Sequence, residues 1–242
     1  MRLARLPAEN PRTQGPERRA WYRRHAPEHL RQVEALCAEG LRARASTAPA
    51  RAVLLGAGAC TELPLESLAR ALEAVQLVDV DVPGIARARD GLAAALRARV
   101  DLLQADLTDG VSASLAAALR AQPWDDLRAL GSGAALDAAA TCLERCPVPD
   151  PPAFPDLALA GYGLAVSSLL ITQLFSLPLL DVLDTLNLHA PEATDRREES
   201  ARYSAAARDF RRRICLAHLA LLFSLLAPGG VALLITDVVG YL

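Results

Sequence analysis

The chain has 242 residues, of which 52% are apolar, so it is long enough for one large domain or for a core with an appendage. Its formal net charge of -2 argues against a nucleic-acid partner, because binding to a polyanion normally requires a basic surface. All 26 basic residues are arginines, which excludes mechanisms based on a P-loop lysine, a Schiff-base lysine or the Tyr-x-x-x-Lys pair of short-chain dehydrogenases.

Residues 1–48 are predicted to form an arm and one helix in front of the main domain. The first 20 residues are rich in proline and arginine, which favours irregular structure. Apolar residues then recur at three- and four-residue spacing, so an amphipathic helix is expected from just after Pro27 to about residue 44.

Short apolar runs alternate with helical segments from residue 52 onward. Regular alternation of this kind is typical of a parallel sheet that is covered by helices on both faces. We therefore predict an α/β fold with three layers, formed by residues 49–242. The predicted strands are 52–55, 75–79 and 100–103, and the helices between them are 63–73 and 83–98.

A helical insertion is predicted at about residues 111–155, because this stretch is longer than a crossover between two strands requires. It is rich in alanine, is interrupted at GSG and ends in a proline-rich link. Beyond it we expect two more strands and two helices, the second of which ends at an Ala-Pro-Gly-Gly step. The predicted ranges are helices 112–121 and 134–145, strand 162–167 running into a helix, polar loop 189–200, helix 201–226 and the strand VALLITDVV.

A membrane span is the alternative interpretation of the uncharged run Leu157–Leu180, which is long enough to cross a bilayer. The run contains several serines and glycines as well as Pro178, and no cluster of arginines flanks it. We therefore expect a central strand followed by a buried helix at this place, and no membrane association.

The five cysteines are odd in number and scattered, and the N-terminus does not resemble a signal peptide. Both features predict a reducing, cytoplasmic location. Cys142 and Cys146 lie one helical turn apart without a second Cys or His pair at a matching spacing, so no metal site is predicted.

A glycine turn and two acids mark the predicted binding site. The turn Gly56-Ala57-Gly58 follows the first strand, and Asp79 ends the second strand 21 residues after Gly58. Small residues let the backbone approach a ligand, and an acid at the neighbouring strand end can accept hydrogen bonds from both ribose hydroxyls. Asp106 follows the third strand, whose end is expected beside the first two. These features predict an adenosine site.

The motifs together resemble those of the class I S-adenosylmethionine-dependent methyltransferases, which have a Rossmann-like fold. The matching segments span residues 52–237 in the family's order: VLLGAGACTE, VQLVDVD, LLQADLTD, GLAVSSLLITQL and LLAPGGVALLITD. The resemblance implies methyl transfer with S-adenosyl-L-methionine as the cofactor. The contacts that it implies are Gly56, Ala57 and Gly58 for the methionine part, Asp79 for the ribose, Asp106 and Leu107 for the adenine, and Ser167 near the methyl group.

The chain departs from the family's pattern at three places. Leu54 stands where the family commonly has an acid, and Cys60 replaces a third glycine. Glu62 either compensates for the missing acid or is a first-turn charge that favours the helix dipole. The chain also stops soon after the fifth strand, so we expect the family's C-terminal edge strands to be missing and leave an oligomer or a partner chain as a way to cover that edge.

Several residues keep two interpretations. Asp81 is the substitute ribose acceptor if the second strand ends later, and a turn cap is the alternative role of Asp106. His189 is a general base on a polar loop or an ordinary loop histidine. The run Trp21–His25 belongs to a lid over the cofactor or docks an ordinary helix, and the basic stretch 208–213 contacts an anion or forms solvated surface.

Three functions remain, of which methyl transfer to a small-molecule acceptor is favoured. No catalytic residue is assigned, because the sulfonium methyl is already electrophilic and positioning can supply much of the acceleration. An NAD(P)-dependent oxidoreductase could use the same glycine turn and Asp79, but the chain lacks the lysine of the short-chain dehydrogenases. A non-catalytic scaffold with a methyltransferase-like fold is consistent with Leu54 and Cys60.

Overall fold

The computed structural model describes residue 20 and residues 23–236, which contain a five-stranded sheet. Its strands are β1 (Arg51–Leu55), β2 (Ala74–Asp79), β3 (Val100–Gln104), β4 (Tyr162–Ser168) and β5 (Leu226–Ile235). From Pro27 onward the helices are α1 (Pro27–Ala43), α2 (Leu65–Ala71), α3 (Val82–Asp90), α4 (Ala94–Arg97), α5 (Val111–Arg120), α6 (Trp124–Ala129), α7 (Ser132–Arg145), α8 (Ile171–His189), α9 (Pro191–Asp195) and α10 (Ala201–Leu225), with a 3-10 turn at Arg197–Glu199.

The strands follow the order β3-β2-β1-β4-β5, and every neighbouring pair is parallel. This order confirms the predicted α/β class with a Rossmann-like sheet. The chain reverses its direction of strand addition between β1 and β4, which is where open parallel sheets bind ligands. Leu55 pairs with Ser167 across this switch point, so the turn after β1 begins beside the end of β4.

The central strands are continuous apolar runs because both of their faces are buried. All seven residues of β4 are buried, and β1 exposes only Arg51. The uncharged run Leu157–Leu180 contains β4 and the first half of α8. Within residue 20 and residues 23–236, no helix has both the length and the apolar character needed to cross a membrane.

The described residues divide into two compact units. The first contains the residues up to Gln104, Leu159–Ser168 and Leu226–Ile235, and thus the whole sheet with α1 to α4. The second contains Ala105–Ala158, Leu169–Leu225 and Thr236, and thus α5 to α10. The predicted domain boundary after residue 48 and the predicted insertion at 111–155 stay predictions.

The predicted helices are present, but several of their ends differ. The range 83–98 is two helices, since α3 ends at Asp90 before Gly91 and α4 starts at Ala94. The helix predicted at 63–73 is shorter in the structure, where α2 spans Leu65–Ala71 with Pro64 as its N-cap. Three short elements were not predicted: α6 and, inside the predicted loop 189–200, α9 and the 3-10 turn.

The last strand starts earlier than predicted, because Leu226 already pairs with Tyr162 of β4 before the Pro-Gly-Gly step. Its pairing with β4 is irregular between Tyr162 and Leu164 and becomes regular from Val231. The predicted arm before residue 20, Trp21, Tyr22 and the predicted end of the last strand beyond residue 236 lie outside the described residues.

Arginine side chains join α10 to α7 in the second unit. Arg213 donates hydrogen bonds to the carbonyl oxygens of Leu143 (2.6 Å) and Cys146 (2.8 Å), which satisfies the end of α7. Arg212 and Arg213 also bond to Asp209, at 2.7 and 3.0 Å. These partners fit the interpretation of residues 208–213 as solvated surface, and an anion contact there stays a prediction.

Gly163 on β4 is predicted to be intolerant of any side chain. A Cβ at this position would overlap the carbonyl oxygen of Pro49, which is backbone and cannot turn aside. We expect Gly163→Ala to lower the free energy of unfolding by about 1–3 kcal/mol. Gly133→Ala in α7, where nothing lies within 4 Å, should raise it by up to about 1 kcal/mol. Urea unfolding of both variants is the measurement, and equal effects would contradict the packing argument.

A second prediction concerns the stability of the fold at low pH, which depends on the buried residue His218. Burial lowers the pKa of His218, a residue that is 1% exposed, from its ordinary 6.5 to about 4. Between these pH values the unfolded chain binds a proton at His218 that the folded chain does not bind. The free energy of unfolding should therefore fall as the pH falls, by up to about 3 kcal/mol from this residue alone. Urea titrations from pH 7 to 4 should show a shallower pH dependence for His218→Leu, and an unchanged dependence would refute the assignment.

Candidate functional site

Backbone hydrogen bonds fasten the glycine turn to the end of β2. The N–H groups of Gly56 and Ala57 both donate to the carbonyl oxygen of Val78, at 2.9 and 3.2 Å. The N–H of Gly58 donates to Oδ2 of Asp79 at 2.7 Å. The turn and the predicted ribose acceptor are thus in direct contact, although 21 residues separate them in the chain.

Asp79 holds a fixed orientation because both of its oxygens accept backbone hydrogen bonds. Oδ2 accepts from Gly58, and Oδ1 accepts from the N–H of Asp81 at 2.8 Å. A carboxylate offers about four acceptor positions, so about two remain for a ligand. The half-buried Asp79 side chain can therefore accept two hydroxyl groups without giving up its contacts with the turn.

The turn keeps a glycine-like backbone even where glycine is absent. Gly56 and Gly58 have φ values of 66° and 48°, in the left-handed region that glycine occupies readily. Cys60, two residues after Gly58, has the same conformation with φ 47° and is 1% exposed. A non-glycine residue in this region costs on the order of 1 kcal/mol. A buried cysteine therefore holds a backbone conformation that glycine would adopt more easily.

Ser167 lies at the end of β4, opposite Leu55, and is completely buried. The residue after the strand, Leu169, has φ 52° and is thus, like Cys60, a non-glycine residue in the left-handed region. Strained backbone of this kind is common at binding sites. The sequence did not indicate the left-handed backbone at Leu169, because leucine has no preference for this conformation.

Asp106 and Leu107 belong to the second unit. Asp106 accepts hydrogen bonds from the N–H (2.9 Å) and the hydroxyl (2.7 Å) of Thr108 and from the N–H of Gly110 (3.2 Å). These bonds close the turn before α5, as its alternative interpretation predicted. Leu107 is 4% exposed and lines a void of only about 10 Å³. Adenine contact by either residue stays a prediction.

Asp81 and His189 have structural contacts of their own. Because β2 ends at Asp79, Asp81 is not at the strand end; its Oδ1 accepts from the N–H of Gly84 at 3.1 Å and caps α3. His189 is the last residue of α8 rather than a loop residue, and its ring stacks on Trp124 with centroids 5.9 Å apart. Neither position depends on a ligand.

Glu62 is not a first-turn helix charge, because α2 begins three residues later at Leu65. Its side chain is only 7% exposed, and its Oε2 lies 3.0 Å from Nε2 of His29 on α1. Sequence reasoning did not find this pair, since 33 residues separate its members and no local pattern relates them.

Glu62 also lines a cavity of about 460 Å³ in the first unit, between α1, residues 59–64, α2 and α3. Gly56, Ala57, Gly58, Asp79 and Ser167 do not line it. The first unit therefore contains two separate features: the glycine turn with Asp79, and a cavity with a buried acid in its wall.

In the described part of the chain, no group of three or more His, Cys, Asp or Glu side chains is arranged so that it could bind a metal ion. Burial raises the pKa of the Cys142 and Cys146 thiols, which disfavours the thiolate that a metal would require. All five cysteines are free thiols.

Comparison with known proteins finds similarity to solved structures. No protein-family model matches the sequence, and no curated protein matches it. The chain is similar to a crystal structure of the methyltransferase domain of bacterial CtHen1-CN, with 19% identity and a TM-score of 0.32. The match covers 65% of this chain and 56% of that chain, so this chain spans little more than half the length of that structure. The assignment of the fold class rests on the strand order given above.

The two backbone bonds of Asp79 lead to a prediction about stability. An Asn side chain has one acceptor oxygen, so Asp79→Asn should leave the N–H of Gly58 or Asp81 facing an NH₂ group. The free energy of unfolding should fall by about 1–3 kcal/mol. Asp101→Asn, at an exposed position on β3, should change it by less than about 0.5 kcal/mol. Urea unfolding of both variants tests this; equal values would mean that the Asp79 contacts do not stabilise the turn.

Proposed function

We propose that this protein binds S-adenosyl-L-methionine and transfers its methyl group to a small-molecule acceptor. The observation that supports this best is the hydrogen bond between Gly58 and Asp79. It places a fixed acceptor for ribose hydroxyls against a turn whose small residues allow a ligand to approach the backbone. Both lie at the carboxyl ends of β1 and β2, beside the switch point of the sheet.

The turn favours a cofactor without a pyrophosphate. A dinucleotide site needs backbone N–H groups that point to the ligand and a helix that starts at the turn. Here the N–H groups of Gly56, Ala57 and Gly58 donate to β2, and α2 begins only at Leu65. An adenosine without a diphosphate requires neither feature, so a nicotinamide dinucleotide is the weaker candidate.

The proposed roles follow the strand ends. Asp79 accepts the ribose hydroxyls, Gly56 to Gly58 pass the methionine part, and Ser167 lies near the methyl group. Asp106 and Leu107 contact the adenine. S-adenosyl-L-methionine supplies an electrophilic methyl, and the chain binds it, excludes water and aligns the nucleophile with the sulfur.

The acceptor is proposed to be a small molecule because the chain has a formal net charge of -2. A nucleic-acid substrate would favour a clearly basic surface. The last two residues of β4 and the two that follow read SSLL rather than an Asn-Pro-Pro-Tyr-like sequence, which argues against exocyclic amines of nucleobases as acceptors.

Calorimetric titration separates the three functions. S-adenosylhomocysteine should bind the purified chain with a 1:1 stoichiometry, and NADH should not bind. Binding of NADH alone would overturn the proposal in favour of an oxidoreductase. Binding of neither would favour a scaffold that keeps the fold without the cofactor.

Asp79 should determine the affinity for the cofactor product. Asp79→Asn removes the charge that strengthens the ribose hydrogen bonds, so the Kd for S-adenosylhomocysteine should rise by about tenfold or more. Asp101→Asn is the matched control and should leave the Kd unchanged. Equal Kd values for the two folded variants would show that Asp79 does not contact the cofactor product.

A further inference from the structure

The cavity of about 460 Å³ in the first unit is large enough for a small organic ligand. Its wall includes the segment after the glycine turn, which is not helical until Leu65. Residues 59–64 form an irregular wall, and α2 has only seven residues.

The wall of the cavity combines apolar side chains with charges of both signs. Leucines contribute the apolar part, among them Leu30, Leu63 and Leu92. Three carboxylates, those of Glu34, Glu62 and Glu66, stand against the two guanidinium groups of Arg23 and Arg87. Among the described residues, the wall is acidic by one charge.

Burial distinguishes Glu62 from the other charged residues of the wall. Its side chain is 7% exposed, whereas those of Glu66 and Arg87 are 61% and 44% exposed. Arg87 also lies 3.9 Å from Asp81, and Glu66 is paired with Arg70 at 2.6 Å. The charge that a ligand meets inside the cavity is therefore mainly that of the Glu62 carboxylate.

A buried carboxylate is costly unless cations or hydrogen-bond donors compensate it. His29 supplies one contact, to Oε2 of Glu62 at 3.0 Å. A carboxylate can accept about four hydrogen bonds, so Glu62 has capacity for a further donor from the cavity. A cationic donor forms the stronger bond with it, and an anion would be repelled.

We propose that this cavity binds a small molecule that carries a primary ammonium group on an apolar body. Glu62 accepts a hydrogen bond from the ammonium group, and the leucines of the wall contact the apolar body. The proposal does not rest on methyl transfer, because Gly56–Gly58, Asp79 and Ser167 do not line the cavity. It assigns Glu62 to a second ligand instead of to compensation for the acid that is absent at Leu54.

Two probes with one carbon skeleton test the proposal on the full chain. Leucinamide carries an ammonium group, and 4-methylpentanamide is the same molecule without it. In calorimetric titrations at pH 7, leucinamide should bind and 4-methylpentanamide should not. Binding of neither probe, or equal binding of both, would overturn the proposal.

Three variants locate the binding. Glu62→Gln should raise the Kd for leucinamide by about tenfold or more, because it removes the charge but keeps the size. Glu66→Gln, the exposed acid of the same wall, should change it by less than about twofold. Ala88→Phe fills the cavity without changing a charge and should abolish binding. An unchanged Kd in folded Glu62→Gln would overturn the assignment.

A measurement on the unaltered protein covers the case in which a variant does not fold. Amide chemical shifts recorded during the leucinamide titration should change most at Thr61, Glu62 and Ser67. Changes centred on Gly58 and Asp79 instead would place leucinamide in the predicted cofactor site and refute the separate cavity site.

Discussion

The hydrogen bond from the Gly58 N–H to the Asp79 carboxylate is the interaction on which the candidate site depends. It joins the turn after β1 to the last residue of β2. The Asp81 N–H holds the second oxygen, so the carboxylate is bound from two sides. A ligand that bonds to Asp79 meets an acceptor whose orientation is already fixed, which reduces the entropy lost on binding.

The buried parallel sheet places this bond where it is. β1 lies between β2 and β4, and its pairing with both puts three strand ends at one edge. Close packing maintains that arrangement: Gly163 on β4 lacks a side chain where the backbone at Pro49 passes against it. The burial of apolar strands thus determines where the polar site lies, although the buried apolar side chains themselves provide no polar atoms to it.

The late start of α2 connects the two functional proposals. Because the helix begins at Leu65, the glycine turn has no helix N-terminus to bind a diphosphate. The irregular residues before α2 also form part of the cavity wall, which includes Glu62. One segment therefore favours an adenosine cofactor over a dinucleotide and contributes to a second candidate site.

The amino-acid pattern predicted the α/β class and the approximate positions of the five strands, because a buried parallel strand is a continuous apolar run in any surroundings. It also assigned Gly58 and Asp79 to one site, but it did not predict the hydrogen bond between them. It was not sufficient to predict where α2 begins, or that α3 ends at Asp90, since helix ends depend on caps and neighbours. Tertiary packing alone pairs His29 with Glu62 and stacks His189 on Trp124. These contacts join residues far apart in the chain, and the packing of whole elements, which no local pattern encodes, brings them together.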